Sequence, residues 1–225
     1  HSDYKGQKQI SAEWVDYRSS EKGDREKTEA QIEAIDMRGL PVPKRELNQL
    51  LDAHPEMLVW AEGPGTEKLA GKPRHELTPC EQLAIWTSPP AQSVLRDVLH
   101  ATHPQKVIVF GLEPTQKTPQ GLLERLGGLV KYAIHFKGGE TTLTHLAAAC
   151  AAKVEVIQVG LQLWEAMGKI NVDQDGDRVM FSKSVLVTDQ SSMNIYSEIF
   201  RALIGETNAY RNYFATSKFK TLIRD

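Results

Sequence analysis

Two runs decide the fold, Gln82-Leu83-Ala84-Ile85-Trp86 and Lys106-Val107-Ile108-Val109-Phe110. Each is short, rich in β-branched or aromatic side chains and closed by a turn signal, which predicts buried strands. Between them Ser88 is the expected N-cap, Pro89 and Pro90 fall in the first turn, and Val94, Leu95, Val98 and Leu99 recur at helical spacing. Strand, helix and strand in so few residues predict a βαβ unit with parallel pairing. Working outward, residues 12–17 and 57–61 read as two more strands, with a helix over 44–51 before the second. The charged stretch 19–31 offers only Ala30 to a core and reads as a solvated helix or a mobile insertion.

After Gly111 the pattern becomes helical. Thr118 is the expected N-cap and Pro119 the first-turn proline of a helix whose apolar positions are Leu122, Leu123, Leu126, Leu129, Val130 and Ala133. A second helix is expected over 141–151, with Leu143, Leu146 and Ala147 on one face, and a third over 154–167, ended by Gly168. Ile170-Asn171-Val172-Asp173, Gln174-Asp175-Gly176-Asp177 and Arg178-Val179-Met180-Phe181 then read as strand, turn and strand. Three helices and a hairpin give the order of a winged helix-turn-helix, and two further helices are expected over 193–203 and 209–217. The expected class is therefore α/β: a small open, mainly parallel, Rossmann-like sheet domain over 1–117, then a winged-helix domain with extra C-terminal helices over 118–225.

Composition bounds the function. The 225 residues have room for two such domains, and 40% hydrophobic with 25% charged residues is ordinary globular usage. The net charge of -2 divides into -3 before Thr118 and +1 from there on, so neither half has the basic footprint of a duplex binder. Cys80 and Cys150 stand alone, which argues against a disulfide framework or zinc site and suits a reducing cytoplasm. Apolar runs fall far short of the roughly 20 residues that span a bilayer, so no membrane partner is expected. The opening His1-Ser2-Asp3-Tyr4-Lys5-Gly6 lacks the apolar core of a signal peptide, and the native protein is expected to begin further upstream.

No motif supplies a complete catalytic set. Gly65 through Gly71-Lys72-Pro73 is one residue too long for a phosphate loop and has Pro where Ser or Thr is required. Thr87-Ser88 and Gly111 mark strand ends, where open sheets bind ligands, but strand termination and capping explain the first pair. His100 and His103 share a helix end without a third ligand nearby, and favourable dipole interaction accounts for them. Glu62, Glu67 and Glu76 are not paired as acid and base. The third helix, 154–167, contains two acids and no base, and the hairpin adds Asp173, Asp175 and Asp177 against Arg178, which opposes phosphate contact. Trp164 on that helix reads as core.

The nucleic-acid hint lies at the end, where Tyr210, Arg211, Tyr213, Lys218, Phe219 and Lys220 interleave aromatics with bases. Aromatic platforms beside cations suit single strands. The other reading is that Tyr210, Tyr213, Phe214 and Phe219 pack the last helix while the bases stay solvated.

Four segments carry a resemblance: Leu83-Ala84-Ile85-Trp86-Thr87-Ser88-Pro89-Pro90, Leu126-Gly127-Gly128-Leu129-Val130-Lys131-Tyr132-Ala133, Val159-Gly160-Leu161-Gln162-Leu163-Trp164-Glu165-Ala166-Met167-Gly168-Lys169-Ile170 and Ala209-Tyr210-Arg211-Asn212-Tyr213-Phe214. Together they resemble the C-terminal extension of RecJ-like exonucleases, over most of residues 80–217. The resemblance implies a parent enzyme of the DHH phosphoesterases that degrades single-stranded DNA from the 5′ end in repair and recombination, using manganese or magnesium. No Asp-His-His occurs here, so no catalytic residue carries over. The resemblance then implies a non-catalytic accessory region, with no cofactor of its own, that docks another repair protein or guides single-stranded DNA. Two alternatives stay open: a transcription regulator with a ligand-sensing α/β half and a winged-helix reader, and a free-standing enzyme using the α/β cleft.

Overall fold

In the computed structural model, which describes residues 32–184 and 188–222, the two apolar runs form β3 (Gln82–Thr87) and β4 (Lys106–Leu112), paired in parallel and joined by α2 (Gln92–Thr102). β1 (Glu33–Asp36) lies beside β4 and β2 (Leu58–Trp60) beside β3, both in parallel, in the order β1-β4-β3-β2. α1 (Pro43–Ala53) connects the two edge strands. Alternation divides the side chains: Leu83, Ile85, Val107 and Val109 join Leu95 and Val98 of α2 in one core, whereas Ala84, Trp86, Ile108 and Phe110 join Leu47 of α1 in another. Covering both faces is what makes these strands continuous apolar runs in sequence.

Two local features differ from expectation, and two readings are not reached. The strand expected at 12–17 and the charged stretch 19–31 fall outside the described residues, and the edge beside β4 is taken by β1, which no reading of the sequence picked out. Ser88 is not the cap of α2. Its N–H donates to the Leu112 carbonyl at 2.8 Å, and the helix starts after Ala91, which is extended and provides no side-chain cap. Consecutive prolines explain the delay, because a residue preceding proline is pushed out of the α region.

α3 (Pro119–Phe136) opens as read, with Thr118 Oγ1 accepting from the Gly121 N–H at 3.1 Å. The segment expected to begin the next helix instead forms β5 (Glu140–Thr142), and α4 (Leu143–Ala149) follows with Thr142 as its cap. α5 (Val154–Ala166) leads into the antiparallel hairpin of β6 (Ile170–Asp175) and β7 (Arg178–Lys183), and β5 pairs with β7 to give the order β5-β7-β6. Trp164 packs against Gly127, where a Cβ would stand 2.4 Å from the indole, so only glycine lets α3 and α5 approach this closely.

The two helices expected after the hairpin are one, α6 (Gln190–Thr216), followed by the short α7 (Phe219–Leu222). Gly205-Glu206-Thr207-Asn208 does not break it. Phe200, Ile204, Thr207, Arg211 and Phe214 form an unbroken buried stripe across that point, and packing of such a stripe outweighs the roughly 1 kcal/mol that an interior glycine costs. Phe200 and Ile204 belong to the core under α3, α4 and α5, whereas Phe214, Phe219 and Leu222 complete the core beneath β3 and β4. Arg38, just past β1, donates to the carbonyls of Phe214 and, at 2.8 Å, Ser217, satisfying the end of α6. The described residues thus belong to one compact unit. No single helix among them is long and apolar enough to cross a membrane.

Candidate nucleic-acid interface

The carboxyl ends of the parallel strands are filled by the protein's own side chains. Thr87 Oγ1 accepts from the Glu62 N–H at 3.0 Å and donates to the Glu62 carbonyl at 2.9 Å, joining the ends of β3 and β2. The Glu62 carboxylate, on a residue only 4% exposed, accepts from the Arg74 N–H at 2.8 Å and from Arg74 Nε at 2.7 Å. Arg74 also donates to the Ala152 carbonyl at 3.1 Å, and Arg211 of α6 donates to the neighbouring Ala151 carbonyl. One carboxylate and two guanidiniums therefore fasten the sheet, the α4–α5 turn and α6 together. Gly111, with φ of +60°, has the Phe214 ring 2.8 Å from where a Cβ would stand.

Arg211 is the less compensated of the two arginines. It is 5% exposed, its Nε has no hydrogen-bond partner among the described residues, and Glu62 is already engaged by Arg74. Its pKa is lowered to about 10, chiefly by burial and then by the Arg74 charge, with Glu62 opposing the shift. It remains a cation at neutral pH.

The other sequence candidates do not converge. The N–H of Lys72 donates to Val59 at 2.8 Å and its carbonyl accepts from Ala61 at 3.0 Å, so the glycine-containing segment supplies an extra bridge along β2 and not a phosphate cradle. His100 and His103 place their rings 5.3 Å apart, with His103 at the left-handed C-cap of α2. Among the described residues no group of three His, Cys, Asp or Glu is arranged to hold a metal. Glu67 lies 3.9 Å from Arg125 and Glu76 lies 3.8 Å from His75, well apart in role from Glu62. Cys150 is buried, which pushes its thiol up to about 12, and burial also raises that of Cys80.

The interleaved tail divides between core and surface. Phe219 is 4% exposed in the sheet core, and Arg211 is buried as described. Tyr210 is half-buried against that core, and its hydroxyl is pushed up to about 12, first by burial and then by Tyr213. Tyr213 and Lys218 face solvent, while the Lys220 side chain lies outside the described residues. Linear interleaving hid a helical period: Arg211 and Phe214 continue the buried stripe of α6.

Helix α5 is equally committed to the interior, with only Glu155 and Gln162 exposed. Two of the hairpin charges are also engaged, since Asp177 accepts from the Thr144 N–H and hydroxyl at 2.9 and 2.8 Å, and Arg178 pairs with Glu140 at 2.7 Å, while Asp173 and Asp175 are exposed. The exposed aromatic surface is at the C-terminal end of α3. Phe136 is 73% and Tyr132 53% exposed, with ring centroids 5.2 Å apart, and Lys131, His135 and Lys137 around them are exposed too. A groove of about 360 Å³ adjoins them, lined among others by Tyr132, Lys137, Thr141, His145 and His75. This surface was missed in the sequence, although Tyr132 and Phe136 stand four apart and off the buried set Leu126, Val130 and Ala133, a signal for rings left in solvent. No protein-family model, curated protein or solved structure matches the chain.

Proposed function

We propose that this chain is a non-catalytic accessory region of a RecJ-like, single-strand-specific 5′–3′ DNA exonuclease, acting in cytoplasmic DNA repair and recombination. In this reading the manganese- or magnesium-dependent nuclease core is a separate part of the parent protein, and no chemical step is assigned to the residues described here. The four resembling segments support it. They supply β3 and its exit, the close α3–α5 packing at Gly127, and the part of α6 that reaches the sheet.

We further assign α3 to β7 as a winged helix, on the order helix, short strand, helix, helix, hairpin, with the short strand against the hairpin. Its third helix is too enclosed to enter a major groove, which disfavours the transcription regulator. The role proposed is to guide single-stranded DNA over the end of α3. One observation carries this: Tyr132 and Phe136 are exposed side by side among Lys131, His135 and Lys137. Unpaired bases stack on such rings for about 1–3 kcal/mol each, while the cations meet the backbone.

The test is fluorescence anisotropy of a labelled oligo(dT) across a salt series, with manganese present and the oligonucleotide checked for cleavage. Salt-sensitive binding without cleavage is expected, weakened at least about fivefold by Tyr132→Ala or Phe136→Ala. Equal binding by both variants would remove the assignment, and metal-dependent degradation would overturn the non-catalytic reading. Docking of another repair protein is the second reading, favoured by Ile195 and Ile199, four apart on α6 and 54% and 42% exposed.

A further inference from the structure

We propose that the cleft between the β4–α3 connection and α6, lined by Glu113, Pro114, Lys117, Asn208, Arg211 and Asn212, is a binding site for a phosphate-class oxyanion. It has a volume of about 210 Å³ and opens beside the carboxyl end of β4, on the side of an open sheet where ligands bind. At its wall sits Arg211, 5% exposed, whose hydrogen bond to the Ala151 carbonyl leaves Nε without a partner among the described residues. Backbone carbonyls can orient a guanidinium, but they do not neutralise it.

The charge balance points the same way. In the buried cluster Glu62 is taken by Arg74, so Arg211 is one positive charge in excess. On the rim Lys117 pairs with Glu113, four residues earlier in the β4–α3 connection, and contributes no net charge. The cleft is therefore cationic overall, and its polar lining adds two side-chain amides. Asn208 is fixed by donating to the Lys117 carbonyl at 3.0 Å, which holds the connection against α6, and Asn212 stands exposed at the opening. A planar, always-charged fork with an ammonium and amide donors around it is the donor set that recognises phosphate oxygens. Glu113 sets the limit on affinity, because the anion must draw Lys117 away from it.

The proposal does not rest on the Tyr132–Phe136 surface, which is built from different residues, and either can fail alone. Inorganic phosphate titrated calorimetrically at constant ionic strength, with chloride as the balancing anion, is expected to bind saturably at one site. Lys117→Ala is expected to weaken it about tenfold or more. Glu113→Gln is expected to tighten it severalfold, a gain that a purely structural cleft would not produce. Both side chains are surface ones, so the two variants should melt with the parent in chloride, which keeps the test informative if Arg211→Gln does not fold. Absence of saturable binding, or an affinity that neither rim variant changes, would overturn the site. Competition then separates two sources of the same chemistry: displacement of phosphate by oligo(dT) identifies a nucleic-acid backbone, and phosphate binding that oligo(dT) leaves intact identifies a free phosphoryl ligand.

Discussion

The carboxyl end of the parallel sheet and the C-terminal end of α3 are made from similar residues used in opposite ways. In the first, Arg74, Arg211 and Phe214 are enclosed, and each guanidinium is met by Glu62 or by a carbonyl of the α4–α5 turn. In the second, Lys131, Lys137, Tyr132 and Phe136 stay in water. The difference is the partner supplied, since a cation enters the interior only where acceptors are already fixed. Local composition is thus a poor guide to which basic-aromatic segment is free to meet a ligand.

The contrast is broken most directly at Glu62. Glu62→Gln leaves the part-buried Arg74 without its carboxylate and Arg211 without a compensating charge nearby, and is expected to cost roughly 3–5 kcal/mol in urea unfolding, against roughly 0.5 kcal/mol or less for Lys131→Ala or Lys137→Ala. A cost below about 1 kcal/mol would mean that the carbonyls suffice and that the enclosed end is ordinary surface. Next come adjacent glycines of α3. Gly127→Ala drives a Cβ into Trp164 and is expected to destabilise by about 1–3 kcal/mol, whereas Gly128, with nothing within 4 Å of a Cβ, should gain about 0.5–1 kcal/mol as alanine. Calorimetric melting of the two variants reads the opposite signs. The smallest effect belongs to the half-exposed pair Asp36–Arg38, in which the guanidinium holds the Asp36 carboxyl below its usual range. That contribution is present above the unfolded carboxyl pKa near 4 and is lost as pH falls through the lower folded value. The melting gap between the parent and Asp36→Asn should accordingly close in acid, and a gap unchanged down to pH 2 would refute the pairing.

What could be read from the chain depended on how local the cause was. β3, β4, Thr118 and the hairpin carry their instructions within a few residues, and the βαβ unit was visible for that reason. β1 was not, because its four residues follow a charged tract and alternate weakly, and only β4 makes them a strand. Ser88 looked like a cap because Pro is welcome in a first helical turn, yet two prolines in succession hold the chain extended. The long α6 was divided at Gly205 because turn-forming residues cluster there, while the stripe that overrides them is visible only against the partners of Phe200, Ile204 and Phe214. The same stripe takes Arg211 out of the surface that the tail offered to nucleic acid, while Phe219 of α7 packs into the sheet core as the other reading had it. At the candidate sites, the spacing of Tyr132 and Phe136 off the buried face of α3 carried a signal that was missed, and the cluster of Glu62, Arg74 and Arg211 was not legible, since three separated segments must fold before they meet.

α6 contributes Phe200 to one core and Phe214 to another over 27 residues, a span of about 40 Å. Its consequence appears when the protein is made. Leu83 and Val107 are translated more than a hundred residues before Phe214 and Phe219 arrive to cover them, an interval of about 5–30 s at ordinary ribosomal rates. During that interval the sheet can pair its strands but cannot close one face. A nascent chain stopped between Ile204 and Phe214 would carry its helical core beside an open apolar surface, the kind of species that chaperones hold and proteases clear.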